Sequence, residues 1–200
     1  MPKIKHTKTE LKTQRDALAR FRRYLPTLEL KKQQLQLEIR RMQTALEQKD
    51  EELARLFAGF ASWRRLFTED YGLAGALRIS RIQTGEANIA GVPIPLLQEV
   101  AFERRTLDLF HTPPWVDDAL DLLEQVVRLR LEAETIRKGI HLLAEELRVT
   151  SQRVNLFEKV KIPEASENIR VIRIFLGDMD TAAVARAKIA KTKLGEALAS

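Results

Sequence analysis

The sequence contains no cysteine. Disulfides and thiolate metal sites are therefore excluded, and a reducing compartment fits. Glycine and proline are scarce, 8 and 7 among 200 residues, and most fall in the middle of the chain; aromatic residues make up only 6%. No run approaches eighteen apolar residues, so no membrane-spanning helix is expected. The first residues, Met-Pro-Lys-Ile-Lys-His, have no apolar core and do not read as a signal peptide. No Gly-x-x-x-x-Gly-Lys-Ser/Thr cradle is present, and Gly85 to Gly91 lacks both the spacing and the lysine, so no nucleotide site is expected. The three histidines, His6, His111 and His141, stand apart from one another and from other ligand types, which argues against a metal centre. What is abundant is Ala, Glu, Lys, Leu and Arg, the profile of a long-helix protein, with apolar content (44%) ample for folding.

The dominant pattern is a heptad over the first seventy residues. Steps of seven from Ile4 give Ile4, Leu11, Leu18, Leu25, Lys32, Ile39, Leu46, Leu53, Phe60 and Phe67, nine of ten apolar. The column three residues later contains Phe21, Leu28, Leu35, Met42, Leu56 and Trp63. A seam with a 3.5-residue period held over about nine heptads is the signature of a coiled coil. It predicts helix over residues 4–69, with a kink or brief break at Pro26, where a backbone donor is missing. A second seam steps by four and three through Leu122, Val126, Leu129, Ala133, Ile136, Ile140, Leu143, Leu147, Thr150, Val154 and Phe157. Pro163 interrupts it. A last helix is expected from about Glu164, with a stripe of Ile169, Ile172, Leu176, Met179, Ala183 and Ala190, and with small residues at Ala182-Ala-Val-Ala-Arg-Ala suited to close approach by a partner helix.

Between the seams the chain changes character. Leu77-Arg-Ile-Ser-Arg-Ile-Gln alternates apolar with polar residues, the period of a half-buried strand. Ile89-Ala-Gly-Val-Pro-Ile-Pro-Leu-Leu reads as extended, because residues before proline avoid the α region. Together they predict a β-hairpin turning near Asn88–Gly91, which must lean on helices or on a partner, since an isolated hairpin is marginal. The fold class is therefore all-α dominated: a long antiparallel two-helix coiled coil with a short β-hairpin insert in the middle of the chain. The segments are 1–70 (N-terminal helix), 71–115 (hairpin and loop insert) and 116–200 (C-terminal helices). The simplest closure brings both termini to one tip with the insert near the other end, and sets Leu11, Leu18 and Leu25 near Ala183–Ala190. If the ends are level, Pro26 faces Gly177, and the two helices bend together there.

Charge is uneven. Residues 1–41 hold 12 Lys/Arg against 4 Asp/Glu, a net +8; the remaining 22 against 24 net −2. Arg186, Lys188, Lys191 and Lys193 make the far end basic again. A basic tip could meet nucleic-acid phosphates, but few aromatics interleave and no base-reading module is present. Asp117, Asp118 and Asp121 read first as carboxylates at the positive end of a helix dipole and only second as a cation site. Trp63 is assigned to the seam, Trp115 to an anchor of the insert, and His141 to a helix surface.

Four stretches carry a family resemblance covering essentially the whole chain. Asn88-Ile-Ala-Gly-Val-Pro-Ile-Pro resembles an Asn-Val-x-Gly-Val-x-hydrophobic-Pro segment; Arg153-Val-Asn-Leu-Phe-Glu, followed by Ile162-Pro163, resembles Arg-Val-Asn-Ala-Leu-Glu; Ala187-Lys-Ile-Ala-Lys-Thr-Lys resembles an Arg-Leu-Lys-x-x-Lys ending; and Leu28-Glu-Leu-Lys-Lys-Gln-Gln-Leu resembles Leu-Leu-Lys-x-Lys-Arg-Asp-x-Leu. The family that the chain resembles is the D subunit of the V-type and archaeal-type (V/A) rotary ATPases. Tyr24-Leu-Pro26, Gln33-Gln34 and Leu156-Phe157 depart from its usual pattern and suggest a divergent bacterial branch.

The resemblance implies a non-catalytic central rotor shaft, without cofactor or metal, that couples ATP hydrolysis or synthesis to proton or sodium transport. It implies as partners the catalytic A and B subunits of the ATPase ring, the F subunit and a funnel-shaped subunit above the membrane ring. It implies a cytoplasmic, membrane-peripheral place, no nucleic acid and no direct membrane insertion. The motif residues Asn88, Gly91, Pro95, Arg153, Asn155, Glu158, Pro163, Lys188 and Lys191 are the expected interface positions. The alternative is a coiled-coil adaptor or scaffold, binding nucleic acid through its basic tip; the hairpin motif separates the two, because an adaptor has no need of it.

Overall fold

The computed structural model describes residues 5–60, 75–105 and 113–199. Trp63, Phe67 and His111 lie outside them. Three helices and one hairpin follow in the order α1 (Lys8–Phe60), β1 (Leu77–Ile89), β2 (Val92–Arg104), α2 (Trp115–Leu156), a π-helical turn (Phe157–Lys161) and α3 (Ile162–Ala199).

Helix α1 starts four residues later than the heptad suggests, and the reason is a cap. The Glu10 amide donates to Thr7 Oγ1 at 3.2 Å, so Thr7 closes the first turn with Glu10 three positions on. The seam itself matches the packing. Every position of the two heptad columns from Leu11 to Leu56 is buried or half-buried, including the polar Gln14, Lys32 and Lys49. The helix continues through Pro26, without the brief break that was the alternative to a kink. Pro26 is on the exposed side, where water can satisfy the carbonyl that loses its helical donor, and the Thr27 hydroxyl donates to the Tyr24 carbonyl at 2.7 Å.

The chain forms two compact units, residues 1–30 with 150–200, and residues 31–149. In the first, α1 pairs antiparallel with the end of α2 and with α3. The ring of His6 lies 4.7 Å from that of Phe175, Gln14 accepts from the Asn168 amide, and Phe21 stacks obliquely on Phe157 at 5.2 Å. This register corrects the level-ends assumption. Leu11 and Leu18 face the neighbourhood of Ile169 and Ala165, not Ala183–Ala190, and Pro26 stands level with the residues just before Phe157, not with Gly177. Gly177 is close in sequence to Phe175 and therefore level with the start of α1. The α3 stripe is buried at Ile169 and Ile172 and half-buried at Leu176; Met179, Ala183 and Ala190 are exposed.

The fault that does lie near Pro26 on the facing strand is the π turn. Ile162 donates its amide to the Phe157 carbonyl, five residues back. A regular α-helix would drive the Pro163 ring into the Lys159 carbonyl and ask it for a donor it lacks; one widened turn just before the proline relieves both. Pro163 therefore does not interrupt the helix.

In the second unit, α1 pairs antiparallel with α2 through three ion pairs: Lys31 with Glu146, Lys49 with Glu132 at 2.9 Å, and Arg137 with Asp50 at 2.9 Å. Lys49 occupies a seam column yet keeps its charge. Its ammonium reaches Glu132 and Glu52, and the hydrogen bond to Glu132 raises its pKa above the ordinary value, against a smaller desolvation effect. All eleven residues of the second seam are buried or half-buried.

The strands pair from Leu77↔Arg104 to Ile89↔Val92, with irregularities between Ile79 and Arg81 and between Gln83 and Thr84. The hairpin leans on a helix, as a two-stranded sheet must: it lies along α2. Arg104 bridges to Asp121 and Glu124, Phe102 lies under Arg128 at 6.0 Å, and Ile94 reaches the level of Gly139 and Leu143. There Leu35 of α1, Ile94 of β2 and Leu143 of α2 form one buried cluster, joined by Ile39, Met42, Ile89, Val92 and Leu147. Gly139 makes room for it: a Cβ there would come within 2.5 Å of the Met42 methyl.

Candidate functional surfaces

The hairpin turn is built by two residues with positive φ, Ala90 (52°) and Gly91 (83°). Paired positive angles give the tight connection whose twist suits a hairpin. Asn88 is not in the turn but braces it, its Oδ1 accepting from the Gly91 amide at 2.9 Å. The motif glycine and asparagine thus serve the turn itself. Gly91 is exposed and a Cβ there would meet nothing within 4 Å, so only its backbone conformation demands glycine. Pro93 and Pro95 sit two apart in β2, so both missing donors point to one side. In a two-stranded sheet each strand has an open edge, and that is where they are tolerated. Ala90 in a left-handed conformation is the one residue whose type gave no warning.

The second motif sits astride the pair's surface. Val154 is buried, whereas Arg153, Asn155 and Glu158 are exposed, with Glu158 on the π turn; Pro163 follows on the exposed side of α3. Lys188 and Lys191 are exposed on α3, where every residue from Ala183 to Leu194 is exposed. The nine motif positions therefore fall into three separate places and form no single pocket: the hairpin tip and first residues of β2, the outer face around the π turn, and the end of α3.

Sequence reasoning missed Arg104. Its guanidinium donates to Glu124 at 2.6 Å and to Asp121, and these hydrogen bonds, Glu124 first, stabilise the charged form. Asp121, read as a dipole-favouring acid, is thus a tie between the hairpin base and α2. Trp115 opens α2, followed by the buried Val116, Ala119 and Leu120. His141 is exposed, as expected of a helix-surface residue. Among the described residues no group of His, Asp and Glu could hold a metal, and no helix is long and apolar enough to cross a membrane.

The surface also presents large apolar side chains without cover within the described residues: Tyr24, Leu30 and Leu37 on α1, and Val184 (57% exposed), Ile189 (58%) and Leu194 (64%) on α3.

Comparison with known proteins identifies the family. The family model for the ATP synthase D subunit matches residues 10–192. The D subunit of the V-type ATP synthase from Borreliella burgdorferi is 45% identical over 194 residues, covering 97% of this chain and 96% of the relative. Those of Chlamydia pneumoniae and Chlamydia felis are 33% and 34% identical, each covering 96% of this chain and 93% of the relative. The class is that of the non-catalytic central-stalk subunits of V-type ATP synthases. The chain belongs to the ATP synthase D-subunit family.

Proposed function

We propose that the chain is the rotor shaft itself: it turns inside a ring of catalytic A and B subunits and couples ATP hydrolysis or synthesis there to proton or sodium transport. The observation that carries this reading is the unbroken seam. Torque is transmitted only by an element that resists bending and twisting, and the two columns of α1, half-buried or buried at every position from Leu11 to Leu56, supply that resistance by packing. The largely polar outer faces leave a surface that can pass successive ring positions without sticking.

The exposed end of α3, with Val184, Ile189, Leu194 and the cations Lys188 and Lys191, meets the ring in this reading. The outer face around Arg153, Asn155, Glu158 and Pro163, and the hairpin carrying Asn88, Gly91 and Pro95, are assigned to the remaining partners, the F subunit on the flank and the funnel-shaped subunit above the membrane ring. The chain acts at the membrane periphery on the cytoplasmic side, in three segments, 1–70, 71–115 and 116–200. The experiment is to rebuild the complex with and without the chain and to measure hydrolysis and ion pumping together. Hydrolysis uncoupled from pumping in its absence is expected; normal coupling without it refutes the shaft.

A further inference from the structure

The two sides of the first unit differ. On one side, the groove between α1 and α3 is internally satisfied: Lys161 bonds Glu164 at 3.0 Å, and Gln14 meets Asn168. On the other, a groove of about 360 Å³ is lined by Arg15, Leu18, Ala19 and Arg22 of α1 and by Ser166, Ile169 and Arg173 of α3. Among the described residues no carboxylate lines it. Arg15, Arg22 and Arg173 have no hydrogen-bond or ion-pair partner among the described residues, whereas the neighbouring Arg170 is held by Glu167. The floor is apolar, with Ile169 buried and Leu18 half-buried.

We propose that this groove docks an acidic helical segment of a partner protein in the assembly, with carboxylates at heptad spacing engaging Arg15 and Arg22 and a further one meeting Arg173 across the floor. Arg15 and Arg22 are seven residues apart on one face, about 10.5 Å along the helix at 1.5 Å per residue. That is the repeat of side chains on one face of a second helix packed nearly parallel to the first. Ala19 leaves the floor low enough for an apolar knob between the charges. Guanidinium forks take carboxylates in two parallel hydrogen bonds, which fixes orientation as well as attraction. A nucleic acid strand fits worse. Its phosphates recur every ~3.4 Å and call for a continuous cationic track, and no aromatic side chain lines this groove to stack a base.

The proposal rests on the shaft reading for its choice of assembly, and the test separates the two. A photo-reactive benzoylphenylalanine replaces Ser166 in the full chain, the complex is assembled and irradiated, and the adduct is sequenced by mass spectrometry. The expected adduct is a helix-forming segment with acidic residues seven apart. Combining Arg15→Gln, Arg22→Gln and Arg173→Gln lowers its yield about tenfold. The same charge removed outside the groove, by Lys12→Gln, Arg20→Gln and Arg23→Gln, leaves it unchanged, and circular dichroism confirms equal helicity of both variants. An adduct in a segment without acids, an adduct to nucleic acid, no adduct, or equal loss in both triple variants overturns the proposal. Coupling that still depends on the chain while no adduct forms defeats the groove alone; normal coupling without the chain defeats the shaft reading.

Discussion

Leu143→Ala tests whether hairpin and helices are one cooperative structure. Leu143 is fully buried, as is Leu35, and Ile94 is 6% exposed; the three side chains come from α2, α1 and β2. Truncation removes three carbons from a site walled by three elements. Because α1 and α2 are pinned by Lys31–Glu146 on one side and Lys49–Glu132 on the other, the walls cannot collapse freely into the void. A loss of about 3–4 kcal/mol is expected, within the range for Leu→Ala at rigid buried sites. Leu142→Ala, one residue away but 40% exposed, should cost about 1 kcal/mol or less. Urea unfolding followed by circular dichroism gives both numbers, and amide exchange of β2 reports the hairpin separately. A cost below ~1 kcal/mol for Leu143→Ala, or unchanged protection around Ile94, refutes the shared core.

Gly91→Val places a β-branched side chain at a φ of 83° and should destabilise the turn by about 1–2 kcal/mol while the helical dichroism stays; collapse of the helical signal would show that the turn nucleates more than the hairpin. Pro26→Ala restores a helical donor at an exposed position and should raise the unfolding free energy, read by urea denaturation, by up to ~3 kcal/mol; destabilisation would mean that the proline geometry is needed by the pair. The Glu167 carboxyl is held below its ordinary pKa, near 4.5, by hydrogen bonds from Arg170. A depressed folded value means that the pair's contribution is present above the ordinary pKa and is lost as pH falls through the lower folded one. Arg170→Gln should move the Glu167 titration, followed by carboxyl NMR, up toward its ordinary value, and an unmoved titration would contradict the assignment.

Both seams were legible because a 3.5-residue period is a local property: Leu11 to Leu56 and Leu122 to Phe157 announce which face is covered without reference to any partner. Register was not legible for the same reason. Sliding one heptad past another by seven residues leaves the apolar columns matched, so Leu18 accepts a neighbour near Ile169 or, two heptads on, near Ala183 equally well. The choice is seen in discrete pairs such as Gln14–Asn168 and Phe21–Phe157, which are visible only once the strands are aligned. Level chain ends were a poor substitute for them.

The hairpin turn was legible from Asn88 and Gly91, but not its seat along α2, which depends on Arg104 finding two acids in another element. The cap at Thr7–Glu10 was there to be read and is what places the true start of α1. The π turn has only an indirect signal, a proline two residues beyond its end in a seam that otherwise demands continuous helix. Of the surfaces, the motif residues were visible singly. Their separation into three places, and the arginines between α1 and α3 that have no partner among the described residues, belong to the folded pair.

The central claim is that this chain rotates relative to the catalytic ring. Because it has no cysteine, one introduced thiol labels one place. Glu86→Cys, exposed on β1, can carry a bead or gold probe in a complex immobilised through its ring. Continuous one-directional rotation of the probe on ATP addition is the predicted result. A stationary probe on complexes that hydrolyse ATP and pump ions would contradict the account.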